Sequence, residues 1–354
     1  MVNYHMTKYL VAPLNWGLGH ASRCVPLIQR LLDEGHEVIL GGDGESLTLL
    51  RRHFPKLRYT YLAPLNLRYS AGKSQVWAML KALPKLLIWS IKDHLMLQAL
   101  LREEHIDCII SDNRFGLYLT AKRSNSPKDG PASNSETVYI THQLHIKLPK
   151  GWRWAERIAS RLHARVYTHY NKVWVPDYED FAKSLAGELS HPQLSIINYQ
   201  FSILNYIGPL SRFSLTETRS DHETDQQRSG LTGEAGLFDV VAVLSGLEPQ
   251  RTALEKEIIA RYQNTKEQVL IVQGLMHRPS TRIKRANLTI VPTMGDAELM
   301  AAMKGAKHII ARSGYSTIMD LETLGVMEKA ELIPTPGQTE QEYLAFWLQN
   351  RTSK

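Results

Sequence analysis

The sequence predicts an α/β protein built as two doubly wound, Rossmann-like domains facing across a cleft. Three observations predict it. At 354 residues the chain exceeds what one core ordinarily organises. Short apolar runs alternate with stretches of helical period along most of its length. A polar stretch near the middle divides that alternation into two series.

The first series opens with Tyr9–Ala12 as a strand, ended by Pro13. A loop containing Gly17 and Gly19 follows, and then Val25, Leu27, Ile28, Leu31 and Leu32 recur at helical spacing. Further strands are expected at 37–40, 57–62, 107–110, 137–141 and 172–175, with helical patterns between most of them. The run "SNSPKDGPASNSE", 124–136, reads as a surface loop. "SRFSLTETRSDHETDQQRSGLTGEAG", 211–236, has almost no large apolar residue and reads as a linker or mobile insertion. The second series then places strands at 238–244, 268–273, 287–291, 307–311 and 331–334. The expected organisation is a first domain over 1–208, a linker over 209–236 and a second domain over 237–354. Ligands are expected at the carboxyl ends of both sheets.

Composition narrows the partner. Hydrophobic content of 43% and charged content of 22% are those of a globular protein, while a net charge of +7 favours an anionic ligand or surface. Only two cysteines occur, Cys24 and Cys108, with no CxxC pattern, which fits a reducing, cytoplasmic setting. Neither a secretory signal nor an apolar stretch of about 18 residues is recognisable. No nucleic-acid-binding module is recognisable either.

Several strand-to-helix turns carry chemistry. "VLSGLEPQR" puts Ser245 and Gly246 straight after an apolar strand, where backbone N–H groups can approach a phosphate. "IIARSGYSTIMDLETLG" repeats this at Ser313 and Gly314, followed by Ser316, Thr317 and Asp320. In "IPTPGQTEQEYLA" a Pro/Gly loop leads into Gln338, Glu340, Gln341 and Glu342 at the start of a last helix. The segment "LGVMEKAELIP" is irregular where a simple turn into the strand would be expected.

These two motifs resemble the donor-binding half of GT-B glycosyltransferases, in particular the lipid-linked N-acetylglucosaminyl transferases of peptidoglycan synthesis. "NWGLGHASR", with Gly17 and Gly19, resembles the glycine-rich loop of that family's acceptor half. The resemblance implies that Asp320 holds the ribose hydroxyls of a nucleotide and that Ser245, Gly246, Ser313 and Gly314 take its diphosphate. Ser316, Thr317 and Gln338 fall in the same donor-binding stretches. Arg212, in "GPLSR", matches a diphosphate-binding arginine. Gln341 and Glu342 fall where a glutamine pair grips the sugar, so Glu342 departs from the pattern. The family continues past this helix through further segments returning to its first domain, so the second domain is expected to be a shortened form. A UDP-linked hexose or N-acetylhexosamine and inversion at the anomeric carbon are what the resemblance implies.

The chemistry requires charge stabilisation on a departing diphosphate, which helix N-termini and an arginine can provide. No strict Asp-x-Asp occurs, so transfer is expected to need no metal and no cofactor beyond the nucleotide sugar as co-substrate. The acceptor hydroxyl must lose a proton, and a histidine suits that task at neutral pH. His20 stands at the mouth of the first crevice, and "IISDNRFG" puts Asp112 at a neighbouring strand end, where it can orient an imidazole. His20 is therefore the expected base. Plainer roles stay open: His20 as a turn or phosphate contact, Asp112 as an N-cap, Asp320 as a solvated acid, and His142 and His145, which follow a strand, as loop residues rather than acceptor contacts.

The stretch from Gly72 to Lys92 carries four lysines and no acid among apolar and tryptophan residues. It fits contact with the anionic inner face of a membrane beside a glycan or lipid-linked acceptor, or else a packed helix pair broken at Pro84. Two further functions compete. "GLGHAS" partly matches a dinucleotide fingerprint, with Asp43 where a ribose-binding acid belongs in a nicotinamide-dependent oxidoreductase. An epimerase or hydrolase of nucleotide sugars would use the same fold without an acceptor.

Overall fold

The computed structural model describes residues 6–65, 75–118, 135–192, 201–215, 238–246, 248–279 and 281–351; the side chains of 75–83 and of Phe201 lie outside that description. Most of the two polar stretches at 124–136 and 211–236 also lies outside it, as does the first part of 72–92.

Seven strands form the first sheet: β1 (Lys8–Pro13), β2 (Glu37–Gly42), β3 (Tyr59–Tyr61), β4 (Cys108–Asp112), β5 (Glu136–Ile140), β6 (Lys172–Val175) and β7 (Leu204–Tyr206). Their order is β3-β2-β1-β4-β5-β6-β7, and every pairing is parallel. The helices α1 (Gly19–Asp33), α2 (Gly44–His53), α3 (Gln75–Glu103) and α4 (Glu156–Tyr167) connect them. Alternation along each strand sorts the core into two layers. Val11, Leu40, Ile110 and Ile140 pack against α1 and α2 on one face. Leu10, Ala12, Ile39 and Ile109 pack under Leu97 of α3 on the other. Both faces are apolar because helices cover both, as a parallel sheet requires.

The second sheet has the order β10-β11-β9-β8-β12-β13. Its strands are β8 (Val240–Val243), β9 (Val269–Val272), β10 (Ile283–Arg285), β11 (Leu288–Val291), β12 (His308–Arg312) and β13 (Ala330–Ile333). Only β10 runs antiparallel, hairpinned to β11 around Ala286 at positive φ. Its helices are α5 (Gln250–Tyr262), α6 (Asp296–Gly305), α7 (Tyr315–Leu324) and α8 (Thr339–Arg351). The irregular 325–330 segment is explained by Gly325, which ends α7 in the left-handed region, followed by a short 3-10 turn at Met327–Lys329 before β13.

Three details differ from the sequence reading. The strands β7 and β10 are additional, and β3 is shorter than the expected 57–62. Pro84 does not break a helix pair: α3 runs through it as one 29-residue helix. Helix α8 returns to the first domain, where Leu344 and Leu348 pack with Leu185, Ala186 and Leu189. Among the described residues, no helix is long and apolar enough to cross a membrane.

Candidate active site in the cleft

The first half of the site follows from strand order. Because β1 lies beside β4 with Pro13 opposite Asp112, the turn after β1 delivers the first turn of α1 to the Asp112 carboxylate. Gly17 adopts φ +87°, a conformation that admits glycine far better than other residues. His20, the second residue of α1, sets its Nδ1 2.8 Å from Asp112 Oδ1. Arg23 Nη2 lies 3.0 Å from the same nitrogen, so Nδ1 faces both an acceptor and a donor; the shorter carboxylate contact favours the proton on Nδ1, with the Nε2 lone pair as the position that can take one. The imidazole is 18% exposed, within reach of the cleft.

Arg23, three residues on and on the same helical face, is the partner that sequence reading missed. It is buried, donates to Asp112 Oδ2 through Nε at 2.6 Å, and makes a closer contact to Oδ1 through Nη2. Burial pushes the Asp112 carboxyl up, but the Arg23 guanidinium and then His20 outweigh it and hold it well below the usual carboxylate range. Asp112 is therefore ionised at neutral pH.

The cluster continues across the cleft. Arg23 Nη1 lies 3.4 Å from His142 Nδ1, and His142 Nε2 lies 2.7 Å from Glu340 Oε1 on α8. His142 also stacks on Tyr315 at 3.9 Å between centroids. Burial pushes its pKa down, opposed by Glu340. Ser316 Oγ on α7 donates to the Gly19 carbonyl at 2.9 Å. The base candidate and the N-terminus of α7 thus flank one contact.

On the second sheet, β8, β12 and β13 are neighbours, so Ser245 and Gly246, Ser313 and Gly314, and the 334–338 loop end side by side. Gly246 has φ +94° and is exposed, whereas Ser313 is buried and donates to the Gln341 carbonyl at 2.8 Å. Buried Arg312 ties these strand ends together, donating to the carbonyls of Pro334 and Gln250. Asp320 is buried, accepts from Ser211 Oγ at 2.6 Å and faces Arg212 Nε at 4.0 Å. Burial pushes its pKa up to about 6, tempered by Arg212 and Ser211. Arg212 also meets Asp296 at 3.3 Å, and its buried Nε makes no hydrogen bond among the described residues. Thr317 sits half-buried in the first turn of α7.

Some expected groups turn elsewhere. Gln341 Oε1 accepts from Thr335 N and its Nε2 donates to Gln338, while Glu342 accepts from Gly337 N. All three brace the Pro/Gly loop in this structure. His145 is held by Ser160 and Glu156 as a loop residue. Asp43 accepts from Arg114 at 3.0 Å and from Asn15 at 3.0 Å, so its two oxygens serve a buried structural cluster. That occupation removes the main support for the dinucleotide reading.

Two parallel α/β sheets joined across such a cleft constitute the GT-B fold. The chain is 24% identical to an uncharacterized glycosyltransferase of Methanosarcina acetivorans, covering 95% of this chain and 81% of that one. A second uncharacterized glycosyltransferase, from Methanosarcina mazei, is 21% identical over the same shares. No family model matches. Among solved structures, the glycotransferase of kitacinnamycin aligns at TM-score 0.58 and 15% identity over 98% of this chain and 85% of that one. A glycosyltransferase from Streptomyces nogalater gives 0.55 and 15% over 98% and 86%. The UDP-GlcNAc 2-epimerase of Methanocaldococcus jannaschii, solved with UDP-GlcNAc and UDP, gives 0.51 and 12% over 99% and 93%.

Proposed function

We propose that the protein is a glycosyltransferase that moves a hexose or N-acetylhexosamine from a nucleotide sugar, most simply UDP-linked, to a hydroxyl of a glycan or lipid-linked acceptor. The names of its relatives and of most structural neighbours support an enzyme of the hexosyltransferase class. The observation that carries the reading is the Gly19–Ser316 contact, which sets His20 and the N-terminus of α7 on two sides of one point. In this reading His20 Nε2 takes the acceptor proton as the hydroxyl oxygen attacks the anomeric carbon. The bond to the nucleotide's diphosphate breaks on the opposite side, which inverts the centre. The charge developing on the diphosphate is met by backbone N–H groups around Gly314 and Ser245, by the dipole of α7 and by Arg212. Asp320 takes the ribose hydroxyls, and Gln338, Gln341 and Glu342 must swing from the loop they brace to reach the sugar.

The reading needs no metal, and it places the protein on the cytoplasmic side of a membrane, with 72–92 towards the lipid. Replacing His20 by Ala should leave nucleotide-sugar binding by calorimetry intact and reduce turnover by about 10²–10⁴-fold, the usual share of a general base. Near-normal turnover with normal donor binding would remove His20 from the role. The likeness to a 2-epimerase favours one second reading, and it is separated by product analysis without acceptor: an epimerised sugar rather than intact donor or slow hydrolysis would select it.

A further inference from the structure

Helices α3 and α4 form one outer layer of the first domain. Ile109 pairs with Thr137 and Ser111 with Tyr139, and Tyr139 pairs with Val173, so the α3 side of β4 is the α4 side of β5 and β6. Leu97 of α3 and Tyr167 of α4 pack onto that same face. Everything these two helices turn outward therefore shares one side of the molecule.

What they turn outward is unusual for a solvated surface. Along the 3-10 turn at Lys150–Ala155 and α4, Trp154, Ile158 and Leu162 recur every fourth residue and are 71%, 53% and 58% exposed. Immediately beside them run Arg153, Arg157, Arg161 and Arg165, at the same spacing and all exposed. The one acid of this segment, Glu156, is turned inward, accepting from Leu148 N and facing His145. On α3 the exposed residues include Leu87, Ile88, Ile91 and Leu95, with Lys85 and Lys92. Asp93 is buried against Arg114, so between 84 and 102 no acid is exposed on this helix.

We propose that this α3–α4 layer is a docking surface for an anionic lipid bilayer, with Trp154 and its row in the headgroup boundary and the arginine row on lipid phosphates. Apolar residues with a tryptophan beside a row of cations match an interfacial helix, in which buried apolar area and attraction to anionic headgroups act together. A nucleic acid would use the cations but leave the aliphatic rows in water, and a second copy of this chain would have to oppose its own positive charge. The proposal deepens the membrane part of the functional reading by assigning the contact chiefly to 150–165, and its test uses no turnover.

The test is flotation of the full chain with vesicles of phosphatidylcholine alone and with about one-third phosphatidylglycerol. The expected result is binding to the anionic vesicles only, weakened by salt. Two variants address the two rows: R153Q/R157Q/R161Q/R165Q and W154S/I158S/L162S. Each should bind anionic vesicles more than tenfold less while melting as the parent does, since every altered side chain is exposed. Parent protein that fails to float with anionic vesicles overturns the proposal. So do variants that float like the parent, and so does an arginine variant that loses only DNA binding or only self-association.

Discussion

Replacing Asp112 by Asn tests the base cluster through both stability and chemistry. The substitution keeps size and removes a fully buried charge that serves two donors, Arg23 and the Nδ1–H of His20. An amide has one accepting oxygen. If that oxygen faces Arg23, the amide N–H groups meet His20 Nδ1, which must then accept. The ring proton moves to Nε2, and the group that should take a proton from the acceptor already has one. If the oxygen faces His20 it also meets Arg23 Nη2, and the amide N–H groups oppose Nε instead; in either orientation the buried guanidinium loses its counter-ion. Breaking a buried pair costs about 3–5 kcal/mol, of which the hydrogen bonds the amide keeps offset a part. The protein settles on the cheaper arrangement, so D112N should lose about 2–4 kcal/mol in urea denaturation and about 10²–10⁴-fold in turnover, with donor binding kept. H20N is the control: it should lose turnover alike but less stability, because Arg23 and Asp112 remain paired. A D112N protein within about 1 kcal/mol and a few-fold of the parent would refute the reasoning.

Three further outcomes follow from the same geometry. Glu340→Gln loses the charge on the bond to His142, and since Glu340 is about a third exposed the cost should be about 1 kcal/mol, read by thermal denaturation with faster amide exchange at the start of α8. Asp320 has its folded pKa raised to about 6, above the unfolded value near 3.8, so its ionisation opposes folding increasingly as pH rises between them and constantly above. D320N should therefore compare better with the parent at pH 8 than at pH 5, by about 1.4 kcal/mol of the roughly 3 kcal/mol that the whole shift represents, while its nucleotide affinity falls; an unchanged difference would count against burial as the cause. Transfer should persist in excess EDTA, and complete loss restored by magnesium or manganese would end the metal-independent reading.

The parts legible in the sequence are those set by local pattern. Continuous apolar runs such as 240–243 and 309–311 announce themselves because both faces of a parallel sheet are covered. The strands β7 and β10 do not, being three-residue edges whose Asn205, Lys284 and Arg285 break the apolar run. His20 is legible at a helix start and Asp112 at a strand end, and strand order brings them together. Arg23 is not, since an arginine on a helix is ordinarily a solvated side chain and its burial depends on an acid 89 positions away. Its one local signal is the spacing of three from His20. Glu340 meets His142 across 198 positions, a contact set wholly by how α8 returns to the first domain. The bracing roles of Gln341 and Glu342 were hidden for the opposite reason: helix-start residues facing the site by position can equally bond the loop beneath them.

The distribution of the cluster between the two domains constrains when the base exists. Asp112, Arg23 and His20 all belong to the first domain and are joined through the β1–β4 register, so separating the domains would leave their mutual bonds untouched. Glu340 and Ser316 come from the second domain, and separation would remove both. In the proposed reading, the Asp112 contact that favours the proton-accepting tautomer of His20 thus belongs to one strand end and one helix start, as a preorganised group needs. What the second domain adds is the α7 N-terminus, where negative charge is favoured, and a carboxylate facing His142. In the proposed reading, a base assembled within one domain has no need of the donor to hold its geometry. In that reading, donor binding by the second domain and proton acceptance by the first are separable by mutation, and the pairing of H20N with D320N divides them.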